Sequence, residues 1–134
     1  MAFILDASVA LTWLFKDERT KRTTSLLRRV VDEGAIVPPL WHYEISSGLL
    51  LGIRRKRLTV DIVRDRLNLL VRLQLEVDPH VPARFPAIVE LAEAAQLTVY
   101  DATYLELALR QNLPLATNDG PLTKAAKSRN VVTL

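Results

Sequence analysis

The strongest constraint on the fold is a set of short apolar runs without polar alternation, separated by stretches of helical periodicity. Ala2-Phe3-Ile4-Leu5 has no polar residue in it, and Ala35-Ile36-Val37 repeats the pattern before Pro38-Pro39, which cannot donate to a central ladder. A strand with one wet face alternates, whereas a strand buried on both faces does not. Leu113 to Thr117 and Val131 to Leu134 are further strand candidates, and Leu75 to Asp78 is a weaker one ended by Pro79.

Between these runs the spacing predicts helices over Ala7 to Phe15, Thr23 to Glu33, Trp41 to Arg55, Pro86 to Gln96, Tyr100 to Gln111 and Pro121 to Ser128. Leu26, Leu27, Val30 and Val31 recur at helical spacing ahead of a Gly34 stop. Thr59 caps one more helix, whose stripe is Val60, Val63, Leu67, Leu70 and Val71. Strands alternating with helices imply an α/β fold with a mostly parallel sheet covered on both faces.

The 134 residues contain no repeat or Gly/Ser-rich linker, so a single domain spanning 1–134 is expected. Cysteine is absent, which excludes thiol catalysis, Cys-ligated zinc and iron–sulfur clusters. Met1 to Phe15 is apolar enough to resemble a signal peptide but lacks a basic leader and carries Asp6, and no other run has the ~20 apolar residues that span a bilayer. A cytoplasmic protein without membrane contact is expected. The net charge of +3 tilts partners only slightly toward polyanions.

Four acids stand in apolar surroundings: Asp6 after Phe3-Ile4-Leu5, Glu44 in Trp41-His42-Tyr43-Glu44, Asp101 in Val99-Tyr100-Asp101-Ala102, and Asp119 in Leu115-Ala116-Thr117-Asn118-Asp119. Burying an unpaired carboxylate costs several kcal/mol, so each needs a basic partner, a cap or a metal ion. Singly, Asp6, Asp101 and Asp119 are good helix caps and Glu44 is an ordinary helix-surface glutamate. Together they fall where strands end and helices begin, and in a parallel sheet those points share one edge, where open α/β proteins bind ligands.

Clustered carboxylates repel one another unless cations neutralise them. Oxygen ligands without Cys, and only two His in the chain, favour Mg²⁺ or Mn²⁺ over zinc. Ser8 and Thr117 lie two residues from Asp6 and Asp119, near enough to support a carboxylate or a bound water, or simply to cap backbone locally.

Phe3-Ile4-Leu5-Asp6-Ala7-Ser8, the segment Pro38 to Leu49 with Glu44, Tyr100-Asp101-Ala102-Thr103-Tyr104-Leu105-Glu106-Leu107-Ala108, and Leu115-Ala116-Thr117-Asn118-Asp119-Gly120-Pro121-Leu122 together resemble the PIN-domain ribonucleases. They look most like the VapC toxins of type II toxin–antitoxin pairs, over essentially the whole chain. The resemblance implies a three-layer α/β/α sandwich around about five strands and an Mg²⁺-dependent endoribonuclease activity. It implies a catalytic and metal-binding set of Asp6, Glu44, Asp101 and Asp119, with Ser8 and Thr117 as supporting hydroxyls. Implied partners are an RNA substrate, a cognate VapB-like antitoxin and a second copy forming a homodimer. Ser47 departs from the pattern, standing where many relatives have Asn.

The alternative is a catalytically inactive PIN-like module that keeps its acids as caps and binds RNA or an antitoxin. A phosphatase reading with Asp6 as nucleophile fails, because the acid expected two residues on is Ser8. Arg54-Arg55-Lys56-Arg57 is either a solvated helix end or an RNA contact. Trp13, Trp41 and Tyr104 read as core or interface residues, and His42 and His80 lack ligand spacing. Leu49-Leu50-Leu51 and the Thr59 helix stripe exceed what one core needs, which suggests a dimer or antitoxin surface.

Overall fold

Buried on both faces, as its composition requires, β1 (Ile4–Leu5) lies inside a four-stranded sheet of order β3-β2-β1-β4, with β2 at Ala35–Val37, β3 at Leu75–Val77 and β4 at Leu115–Ala116. The structure is a computed structural model describing residues 1–134, the side chain of Val81 excepted. Every pairing is parallel, with Ile4 opposite Ile36 on one side and Leu115 on the other. All strand C-termini therefore meet one edge. The chain runs β1, β2, β3 outward and returns to lay β4 on the other flank of β1, so the topological switch point falls between β1 and β4.

The helices are α1 (Ala7–Leu14), α2 (Lys21–Glu33), α3 (Leu40–Arg54), α4 (Val60–Leu70), α5 (Val81–Ala95), α6 (Val99–Gln111) and α7 (Gly120–Lys127), with a 3₁₀ turn at Lys16–Glu18. They form the outer layers of a three-layer α/β/α sandwich. In these layers α1 packs on α2 and α3, while α6 lies against β1 and β4 with α5 and α7 beside it. Phe3, Ile4, Leu5, Leu105 and Leu115 are completely buried and centre the core on the sheet.

Local signals explain most boundaries. Thr20 and Thr23 exchange backbone and side-chain bonds as a capping box at the start of α2, two residues before the predicted start. Gly34 takes φ +78° to turn from α2 into β2, a region L side chains avoid. Thr59 Oγ1 accepts from Ile62 N at 3.2 Å, as expected. Gly48 lets α3 close on α1, since a Cβ there would stand 2.6 Å from Leu11 Cδ2.

Three expectations are corrected. The sheet has four strands, with Val131 to Leu134 contributing only a bridge from Thr133 to Leu115, since the neighbouring β4 is just two residues long, Leu115–Ala116, and Leu115 alone exchanges backbone bonds with Val132 and Leu134. Helix α5 begins at Val81, with Pro82 in its first turn, so Pro86 is an interior residue and not the start. The cap of α6 is Thr98, whose Oγ1 accepts from Asp101 N at 3.1 Å, so Asp101 is no cap.

Candidate active site at the carboxyl edge of the sheet

A single open groove is lined by Asp6, Ser8, Glu44, Ser47, Asp101 and Asp119, with Ala7, Leu11, Gly48 and Leu51 as its apolar walls. The four acids arrive from four directions: the end of β1, the second turn of α3, the first turn of α6 and the loop after β4. This is the β1–β4 switch point.

Asp6 is the deepest, 4 % exposed. It stands at the N-cap position of α1 without making a side-chain cap bond, so the capping reading fails for it. Its Oδ2 instead accepts from Ser8 Oγ and Thr117 Oγ1, each at 2.6 Å. Neither hydroxyl engages Oδ1. Burial pushes the Asp6 carboxyl above its ordinary range, opposing the two hydroxyls, and the charge of Asp119 adds to the rise.

Thr117 also accepts from Asp119 N at 3.0 Å, and Ser8 Oγ accepts from Asn118 N at 2.9 Å. The two hydroxyls thus stitch the β1–α1 junction to the β4–α7 loop. Arg22 braces that loop from α2, donating to Thr117 O at 2.9 Å, to Asn118 Oδ1 and to the main-chain oxygen of Leu134. Asp119 does serve as a cap, its Oδ2 accepting from Leu122 N at 2.9 Å, while still facing the groove.

Glu44 accepts a 2.6 Å bond at Oε1 from the hydroxyl of Tyr104, which is wholly buried. Burial raises the Glu44 carboxyl above its usual range, and the charges of Asp6 and Asp101 raise it further. Asp101 is raised by burial and then by Asp119 and Asp6. The acids therefore share one electrostatic field.

Among the described residues no group of three or more Asp, Glu or His side chains forms a metal site; the groove presents carboxylates and hydroxyls and is open to solvent. Such an open, all-oxygen donor set fits Mg²⁺ or Mn²⁺, which keep several waters and take few carboxylates, and it does not fit a closed structural zinc site. Ser47, at the position where the resemblance calls for Asn, lines the groove.

The structure also sorts the remaining motifs. Arg57 pairs with Asp17 at 3.0 Å and lies over the Phe15 ring at 4.3 Å, whereas Arg54, Arg55 and Lys56 are exposed. His80 Nδ1 is 2.8 Å from Asp78, and neither histidine lines the groove. Leu50, Leu51, Val60, Leu67 and Val71 are exposed while Leu49 is buried, so the surplus of apolar stripe does reach the surface. A second, apolar hollow is walled by Trp13, Leu14, Leu27, Leu69 and Leu73.

Sequence reasoning missed Tyr104 as a partner of Glu44, Arg22 as the brace, and a partly buried ion network away from the groove. In that network Arg110 reaches Asp78 at 2.6 Å and Glu106 at 2.9 Å, with Arg84 also on Glu106. Tyr104 did carry a signal, since a tyrosine flanked by Ala102, Leu105, Leu107 and Ala108 on the buried side of its helix needs a partner for its hydroxyl, and it stands one turn after Asp101.

A PIN domain profile matches residues 3–128. The chain is 32% identical over 131 residues to ribonuclease VapC9 of Mycobacterium tuberculosis and to a VapC ribonuclease of Mycobacterium bovis, covering 98% of this chain and 96% of each relative. Its fold is similar to PAE2754 from Pyrobaculum aerophilum, with TM-score 0.72 and 22% identity over 99% of this chain and 90% of that one. It is also similar to FitAcB from Neisseria gonorrhoeae, with TM-score 0.57 and 16% identity over 98% and 96%. No described helix is long and apolar enough to cross a membrane. The chain belongs to the PIN domain family, alongside the VapC ribonucleases.

Proposed function

We propose that this protein is an Mg²⁺-dependent endoribonuclease toxin that hydrolyses RNA phosphodiester bonds at the acidic groove and is neutralised by a cognate VapB-like antitoxin. The observation that carries the reading is the meeting of Asp6, Glu44, Asp101 and Asp119 in one groove at the β1–β4 edge, in a chain of the VapC-containing family.

Asp6 and Asp101 are the principal metal ligands in this reading, with Glu44 and Asp119 contributing directly or through water. When bound, a divalent cation supplies charge neutralisation at the phosphodiester and activation of water near neutral pH. The chain's own residues do the rest. Ser8 and Thr117 fix the Asp6 carboxylate through Oδ2, and the Asp119 cap holds its carboxylate against the start of α7. Arg54, Arg55 and Lys56 offer phosphate contacts beyond the groove. The apolar hollow beside α4 and the exposed Val60, Leu67 and Val71 suit an antitoxin segment or a second copy of the chain in a homodimer.

The test is incubation of purified protein with total RNA, with and without Mg²⁺, and mapping of the cut ends. Discrete Mg²⁺-dependent ends support the reading. Intact RNA at saturating Mg²⁺ favours the inactive binding module instead.

A further inference from the structure

We infer that Tyr104 is a positioning residue of the acidic site, holding Glu44 in place for metal binding; this rests on the metal-dependent ribonuclease reading. A fully buried aromatic position has no need of a hydroxyl, since phenylalanine fills the same space without a polar atom to satisfy. The Tyr104 hydroxyl is directed at Glu44 Oε1 at 2.6 Å, the short length of a charge-assisted bond. It also lies 3.4 Å from the backbone N–H of Ala7, the residue after Asp6, as an acceptor.

Tyr104 itself is one helical turn after Asp101. One hydroxyl therefore joins the three elements that carry Asp6, Glu44 and Asp101. Glutamate has more rotatable bonds than aspartate, and Glu44 is only partly buried, so without a tether its carboxylate would sample several positions over the groove. The Tyr104 bond occupies Oε1 and leaves Oε2 outside it, which selects how the carboxylate presents itself. Outer partners of this kind typically govern metal affinity or activity by about 10–100-fold.

The experiment measures Mn²⁺ binding to the full chain by titration calorimetry, and RNA cleavage kinetics, in wild type, Tyr104→Phe, Glu44→Ala and the double variant. Tyr104→Phe is expected to weaken Mn²⁺ binding by about 10-fold or more and to lower kcat with KM for RNA unchanged. In the Glu44→Ala background the same change should add nothing, because the residue it acts through is gone. A Tyr104→Phe variant within twofold of wild type in Mn²⁺ affinity and kcat overturns the inference. So does an undiminished loss in the Glu44→Ala background, which would mark a general effect on the fold.

If Tyr104→Phe does not fold, NMR of protein labelled with [ζ-¹³C]tyrosine decides. With Tyr43 and Tyr100 changed to Phe, Tyr104 is the single tyrosine of the chain. Its single ¹³Cζ resonance should shift saturably with Mg²⁺, a diamagnetic ion, and an unmoved resonance at saturating Mg²⁺ rejects the inference. Absence of any saturable Mn²⁺ binding in wild type removes the ribonuclease reading and this inference with it. Normal wild-type binding that is indifferent to Tyr104 removes the inference alone.

Discussion

Thr117 Oγ1 donates to Asp6 Oδ2 at 2.6 Å while accepting from Asp119 N at 3.0 Å, so one hydroxyl fixes two acids that lie 113 residues apart in the chain. Thr117→Val keeps the shape but leaves the Asp119 N–H and the Asp6 carboxylate each short of a partner. Stability should fall by about 1–3 kcal/mol, the cost of unsatisfied buried groups. Cleavage should fall by about 10–100-fold. Thermal unfolding and cleavage assays on Thr117→Val and Thr117→Ser check this, with Ser restoring most of both losses.

The acids of the groove work against the fold when no cation is present. Asp6, Glu44 and Asp101 have carboxyls raised above their ordinary values, chiefly by burial. In the window between the ordinary and raised values the folded state holds more protons than the unfolded one, so stability falls as pH rises. In EDTA the melting temperature should therefore decline from mildly acid pH upward, and Asp101→Asn should flatten the decline. Mg²⁺ at 100 times its Kd should restore about 2.7 kcal/mol. A melting temperature in EDTA that is level through this window would speak against the charge cluster.

The Asp78–Arg110 pair has the opposite sign. Burial alone pushes Asp78 up, but the Arg110 and His80 bonds outweigh it and hold the carboxyl below the usual carboxylate range. Its contribution is full above the unfolded value of about 3.9 and is lost as pH falls through the depressed folded value. Arg110→Met removes the partner that the buried Asp78 and Glu106 share, leaving Glu106 with Arg84 and Asp78 with His80, and should cost about 1.5–3 kcal/mol. Chemical denaturation at neutral pH measures that cost. A companion series at acid pH should show the difference from wild type shrinking as Asp78 protonates.

Arg54 and Arg55 are exposed like Arg57, but only Arg57 is committed to partners, Asp17 and the Phe15 ring. The double change to Ala should raise KM for RNA without altering kcat. It should also reduce the slope of log affinity against log salt by about 1.4, as expected for two lost phosphate contacts on a single strand. Binding titrations at several salt concentrations would decide it, and an unchanged slope would return these residues to the role of a solvated helix end.

The parallel sheet was legible because Phe3-Ile4-Leu5 and Ala35-Ile36-Val37 have no polar face to spare, and the helix capped by Thr59 began where its hydroxyl foretold. The groove was legible because strand ends share an edge, a property of topology rather than of any one residue. Pro86 misled because a proline marks a helix start only when no earlier turn precedes it, and here Pro82 already occupied that turn. Asp101 and Asp119 look alike in sequence, yet Thr98 relieves the first of capping while the second both caps and faces the groove. Partners that depend on long-range packing left the weakest trace. Nothing near Arg22 announces Asn118, and nothing near Asp78 announces Arg110.

The most direct measurement is Mg²⁺-dependent RNA cleavage by wild type, Asp6→Asn and Asp101→Asn, with circular dichroism confirming that each variant is folded. Asn preserves an acceptor for Ser8 and Thr117 at position 6, so the fold should survive while the charge is lost. The account predicts cleavage by wild type and none above background by either variant at any Mg²⁺ concentration. Cleavage at the wild-type rate by folded Asp6→Asn and Asp101→Asn would contradict it.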